Sequence, residues 1–336
     1  MKEQAQRLHK ENIVIDGLNC SKIDEQYIEK MNKGGLTAIH ETVQMYKVPA
    51  SFFFGFKETF SVIADFYDLV QEFQDSLMLG ASARDIETAK KQGKIAVVLG
   101  FQSPKAMEDD LRYVQIFQRL GVRIVQLTYN EKNFVGDGCG EKQDGGLSKF
   151  GRRLIAEFNK QHILIDLSHC GPRTTLESIE ESKDPVAITH SNAIALCNRP
   201  RNKSDEAIKL LAEKGGVIGV TAFSPFVSDA KKLTIDTLID HVDYIEKLVG
   251  ADHIAFGSDF TEGRTQEDYY HFLGAQVRYN PETIEPYPWN YPKDIEGVVD
   301  LTKLTEKLLE RGYSKDEVVG IIGENWLRLY RKVWGG

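Results

Sequence analysis

The chain has 336 residues, 41% of them hydrophobic, and a formal charge of −8. Its Lys and Arg residues are spread along the sequence, so no basic stripe marks a surface for nucleic acid or an anionic membrane. No apolar run approaches the roughly 20 residues that cross a bilayer.

In chain order, short β-rich runs alternate with segments of helical periodicity. The N-terminal "MKEQAQRLHKEN" has no apolar stretch of the kind a secretory signal needs, and "NIVIDG" at 12–17 reads as the first strand. Further strands are expected at 36–43, 94–101, 122–128, 163–168, 185–190, 216–223 and 253–259. Helical spacing runs through 58–79, 104–120, 147–161, 172–182, 204–214 and 234–250. The clearest case is "GLSKFGRRLIAEFNK", in which Leu147, Phe150, Leu154, Ile155 and Phe158 share a face. Eight strands alternating with helices predict a (β/α)8 barrel. With no Pro/Gly/Ser-rich linker, residues 1–336 are expected to form a single domain. The aromatic, Pro-containing segment 261–298 follows the last strand. It is expected either as a lid over the barrel mouth or as a surface wrapper for the last helices. Cys20, Cys139, Cys170 and Cys197 form no C-x-x-C pair, which fits a cytoplasmic protein with reduced thiols.

Polar residues close several of these strands: Asp16, Gln102, Tyr129, His169, His190 and Asp259. In such barrels the C-terminal rim of the strands carries the chemistry. "IDLSHCG" and "AITHSNA" put His169 and His190 at adjacent strand ends, where strands about 4.8 Å apart let both imidazoles reach one ion. "GSDF" adds Asp259. Two histidines and a carboxylate suit zinc with one position open for water. Asp259 serves equally well as a general base, or as a helix cap or turn residue. "HSNAIALCNRPRN" adds Arg199 and Arg201, and a guanidinium can grip a substrate carboxylate through two parallel hydrogen bonds. His40 lies within the second strand and is the one other histidine placed to point into the barrel.

As a set, "LGVRIVQLTYN", "GLSKFGRRLIAEFN", "ILIDLSH", "THSNA", "RPRN", "GSDF" and "GENWLR" resemble the membrane (renal) dipeptidases, peptidase family M19. The resemblance runs from about residue 12 to residue 331. It implies a binuclear-zinc barrel of the amidohydrolase type that cleaves dipeptides, including some with a D-residue on the C-terminal side. Some relatives act on dehydro-dipeptide or β-lactam amides. The resemblance assigns His169 and His190 to one zinc, Asp259 to proton transfer and Arg201 to the substrate carboxylate. It also implies a non-covalent homodimer.

The sequence departs from the family at the other zinc. The family's first strand ends Asp-Gly-His-x-Asp, whereas "DGLNC" has Leu18 and Cys20 at those ligand positions. Gln102 in "LGFQS" stands where a Glu bridges both ions, and Tyr129 stands where a His binds substrate. Leucine has no lone pair for a metal, and an amide lacks the charge to bridge two cations. The expected protein is therefore a hydrolase of a dipeptide or related amino-acid derivative with one zinc per chain. Cys20 is an optional ligand, because a thiolate binds zinc well. The alternatives are a non-catalytic relative that binds a peptide or amino-acid derivative, and a barrel enzyme of another class, a lyase or amidase, with Tyr129 as acid/base.

Overall fold

The computed structural model describes residues 1–43, 55–268 and 290–335. Its strands are β1 (Ile15–Asn19), β2 (Ala38–Thr42), β3 (Leu77–Leu79), β4 (Ile95–Phe101), β5 (Val122–Gln126), β6 (Leu164–Asp166), β7 (Ala187–Ile188), β8 (Val217–Val220) and β9 (Ile254–Phe256). They pair in parallel in the order β1-β2-β4-β5-β6-β7-β8-β9. Beyond β9, Phe260 pairs with Asn19; Cys20 N donates to Phe260 O at 2.8 Å and Asp259 N donates to Leu18 O at 3.0 Å. These contacts bring the first strand back to the last. Helices surround the strands, and the fold is a (β/α)8 barrel with all eight expected strands present.

Two features differ from the sequence expectation. The helix expected over 58–79 is Phe56–Glu72, and Leu77–Leu79 instead forms β3, paired with the first half of β4. Those apolar residues continue the helical period, but pairing with Ile95–Val97 satisfies their backbone and the pattern cannot show that. Helices also form where none was expected, among them Lys2–Glu11, Glu25–Lys33, Ala83–Gln92, Leu301–Glu310 and Asn325–Trp334; Asp24 and Ser82 cap the second and third of these through the backbone N–H of Tyr27 and Asp85. Of the segment expected as a lid, residues 269–289 lie outside the described residues.

Inside the barrel the side chains change character from bottom to top. Ile15, Ala38, Ala96, Ile124, Leu164, Ala187, Val217 and Ala255 form an apolar layer with Trp326, Leu327, Tyr330 and Val333 of the last helix, Asn325–Trp334. That helix forms the floor. Trp326 is fully buried and donates its indole N–H to Phe256 O at 2.9 Å. A Cβ at Gly17 or Gly219 would come within 2.5 or 2.9 Å of its ring, so both strands need glycine there. Further up, inward positions turn polar, with Asp166 and Ser168 after Leu164 and Thr189 after Ala187.

The N-terminal helix Lys2–Glu11 is pinned by buried His9, whose Nδ1 lies 2.9 Å from Thr305 Oγ1 and whose Nε2 lies 2.6 Å from Gly34 O. Burial pushes His9 down from 6.5 to about 4. Between those values the unfolded chain binds a proton that the folded chain refuses, so stability falls as pH drops from about 6.5 to about 4.

Two measurements follow from this packing. Trp326→Ala should lower the unfolding free energy by about 3–5 kcal/mol, read from urea titration. His9→Gln should make the loss of stability between pH 6.5 and 4 shallower than in the wild type, with the slope contributed by His40 (also held at about 4) remaining.

Candidate active site

Some of the groups named from the sequence meet at the upper rim. His169 and His190 follow β6 and β7, and their Nε2 atoms lie 3.1 Å apart. The other ring nitrogens are held from outside: His169 Nδ1 by Asn130 Oδ1 at 2.7 Å and His190 Nδ1 by Thr189 Oγ1 at 2.7 Å. Burial, followed by the positive charge of Arg201, pushes both imidazoles well below the usual histidine range. Both are therefore neutral, the form that binds metals. The Tyr129 ring stacks on His169 with centroids 4.2 Å apart.

Arg201 is buried beneath this pair. One terminal nitrogen donates to Ser168 O, and the other donates to His190 O at 2.7 Å. Its guanidinium lies 5.3 Å from the centre of the Phe226 ring, and its Nε–H has no hydrogen-bond partner among the described residues. A guanidinium has five N–H groups, so this anchoring leaves donors for a ligand. Arg199 is spent differently, in a surface ion pair with Asp229. Asp259 follows β9 with a positive φ of 57°, and its carbonyl accepts from Tyr291 Oη at 2.9 Å. Burial raises its carboxyl from 3.8 to about 6, opposed by Arg201 and by a hydrogen bond from Cys20. A carboxyl in that range exchanges protons near neutrality.

The three positions at which the resemblance expects metal ligands are packed as a neutral block. Leu18 is fully buried. Gln102 Nε2 donates to Cys20 Sγ at 3.6 Å, and the thiol lies 3.9 Å from Thr42 Oγ1. Burial, with Asp259 and Glu41 nearby, pushes the Cys20 thiol well above its usual value, so it stays protonated. Among the described residues, no three His, Cys, Asp or Glu side chains are grouped to hold a metal ion. The donor set at the rim is the histidine pair, with two neutral nitrogens turned toward each other, and it fits one cation.

Asp16 does not act as an open rim group. Its carboxylate accepts from Ser258 N at 2.7 Å, Ser258 Oγ at 2.5 Å and Asn19 Nδ2 at 2.9 Å, tying β1 to the end of β9. His40 does point into the barrel, as expected. Its Nδ1 meets Gly17 O at 2.8 Å, and its ring occupies the space that a Cβ at Gly100 would need. Sequence reasoning missed Asn130, Asp166 and Thr189, which hold the histidines. The available signals were Thr189 directly before His190 in "ITHS" and Asp166 three residues before His169 in "IDLSH", whereas Asn130 in "LTYN" lies on a separate loop that gave none.

A profile of the family described as membrane dipeptidase (peptidase family M19) matches residues 2–270. The chain belongs to that family. It is 28% identical over 279 residues to dipeptidase aclJ of Aspergillus oryzae, an alignment covering 81% of this chain. It spans only 60% of the length of that relative. Among solved structures, an amidohydrolase from Pseudomonas aeruginosa is 41% identical, with a TM-score of 0.92 and 99% of each chain covered. A metallopeptidase from Rhodobacter sphaeroides, crystallised with a phosphinate mimic of the dipeptide L-Ala-D-Ala, shares the fold at 19% identity. Its TM-score is 0.77, with 96% of this chain and 100% of that one covered.

Proposed function

We propose that this M19 member hydrolyses the amide bond of a dipeptide or related amino-acid derivative, using one divalent cation, zinc, on His169 and His190. The observation that carries this reading is the 3.1 Å separation of the two Nε2 atoms. Ligands each about 2.0–2.1 Å from one tetrahedral ion have nearly that spacing. When bound, such a cation polarises the scissile carbonyl and lowers the pKa of water to about 7.

The chain's own residues then divide the remaining work. Asp259, with its raised carboxyl, takes a proton from the attacking water and returns it to the leaving amine. Arg201 offers its remaining N–H groups to the substrate's terminal carboxylate. Tyr129, stacked on His169, walls the site beside that ring. Leu18, Cys20 and Gln102 supply no charged ligand at the positions where the family holds its other zinc, so activity on ordinary dipeptides is expected to be weak.

Elemental analysis after gel filtration without added metal should find at most one zinc per chain, and two per chain would overturn the reading. Turnover of a dipeptide panel should fall about 10²–10⁴-fold in Asp259→Asn, with zinc content unchanged. A chain that binds one zinc but turns over nothing on the panel would leave a binding protein instead of a hydrolase.

The arginine assignment has its own measurement. Arg201→Lys keeps a charge but loses the paired-donor geometry, so it should raise KM for substrates with a free terminal carboxylate by about tenfold or more. Arg199→Ala should leave KM unchanged, because an exposed ion pair such as that with Asp229 contributes little.

A further inference from the structure

Behind the two histidines the hydrogen bonds have a definite direction. Asp166 is buried, and one carboxylate oxygen accepts from Ser168 N at 3.0 Å, Ser168 Oγ at 2.6 Å and Thr189 N at 2.9 Å. The other accepts from Thr189 Oγ1 at 2.8 Å. A carboxylate can only accept, so the single hydroxyl proton of Thr189 points to Asp166. Toward His190 Nδ1, 2.7 Å away, that same oxygen can then only accept. His190 must carry its proton on Nδ1, which leaves the Nε2 lone pair facing His169.

On the other side, Asn130 Oδ1 receives His169 Nδ1 at 2.7 Å and the Cys139 thiol at 3.5 Å. Asn130 sits in the left-handed region with φ of 56°, and its carbonyl accepts from Gly140 N at 2.7 Å. Asparagine tolerates that conformation, and the loop it anchors delivers the amide oxygen to the ring. The two Nε2 lone pairs therefore meet at 3.1 Å. At that distance they repel each other, and a shared cation converts the repulsion into two bonds.

We infer that Asp166, acting through Thr189, and Asn130 are positioning residues that hold both histidines in the one tautomer able to share a cation. This rests on the proposed cation reading for its purpose, though not for its geometry. The two supports differ in charge. The Asp166–Thr189 relay sets a carboxylate behind His190, making it the more basic donor, while Asn130 orients His169 without adding charge. Partners behind metal-binding histidines commonly govern affinity by 10–100-fold.

The test uses the full chain and two readouts. In metal-free protein above pH 7, ring ¹⁵N chemical shifts should place the proton of both histidines on Nδ1. Thr189→Val keeps the side-chain shape but loses the hydroxyl. It should release His190 to a mixture of tautomers, whereas Thr189→Ser should keep it on Nδ1. Titration with Zn²⁺ alone should show 10–100-fold weaker binding for Thr189→Val and near wild-type binding for Thr189→Ser. Asn130→Asp, which can only accept, should retain zinc, and Asn130→Leu should lose affinity. Wild-type His190 protonated on Nε2, or Thr189→Val binding zinc as tightly as wild type, would overturn the inference. If the wild type binds no zinc, the cation reading fails, while the ring shifts still decide whether these residues set the tautomer.

Discussion

The rim of this barrel depends on carboxylates buried where strands must meet. Asp16, near the start of the first strand, takes the main-chain N–H and hydroxyl of Ser258, joining that strand to the residues that follow the last. Leu18 and Cys20 follow Asp16 in the chain, and Asp259 follows Ser258. One staple therefore sets Leu18, Cys20 and Asp259 relative to one another. Asp166 does the same between β6 and β7, gathering Ser168 and Thr189 just before the two histidines. An unpaired carboxylate in this interior would be costly. With three or more donors each, these two carry the connections between neighbouring strand ends, and burial still raises Asp16 to about 6.

Much of this architecture was legible in the sequence because a parallel strand buried on both faces leaves a short apolar run with a polar end. "ILIDLSH" and "PVAITH" announce both a strand and the residue that leaves it. The histidine pair was readable for that reason, since adjacent strand ends in register have few places to go. What was not legible depends on partners distant in sequence. Asp16 has the same position in its motif as a rim ligand would, and only Ser258 reveals it as a staple. Asn130 and Thr189 look like ordinary loop polar residues until the direction of each hydrogen bond is followed. Leu77–Leu79 kept the helical period of the preceding segment, and the pairing with β4 overrode it.

On the side of the mouth where the family resemblance places the other zinc, uncharged side chains pack together. Leu18 and Cys20 are buried, Gln102 donates to the sulfur, and the thiol keeps its proton. These three side chains carry no charge, and the same interior holds buried Arg201 and Lys203. Lys203, donating to Cys170 O at 2.8 Å, is pushed down by burial to about 8. Beside the neutral histidine pair, Arg201 and Lys203 are set against the carboxyl groups of Asp166 and Asp259, so the charges of this interior are largely paired.

The floor of the barrel has a consequence for biosynthesis. The side chains that fill the lower interior, Trp326 and Tyr330 among them, come from the last helix, whereas the strands they fill begin at Ile15. On the ribosome, the strands emerge long before their filling does. An emerging chain can make β–α–β units in turn, but the small side chains facing the floor have nothing large to pack on until residues 325–334 leave the exit tunnel. The base of this barrel thus stays open until residues 325–334 have emerged, and only then can the lower interior consolidate.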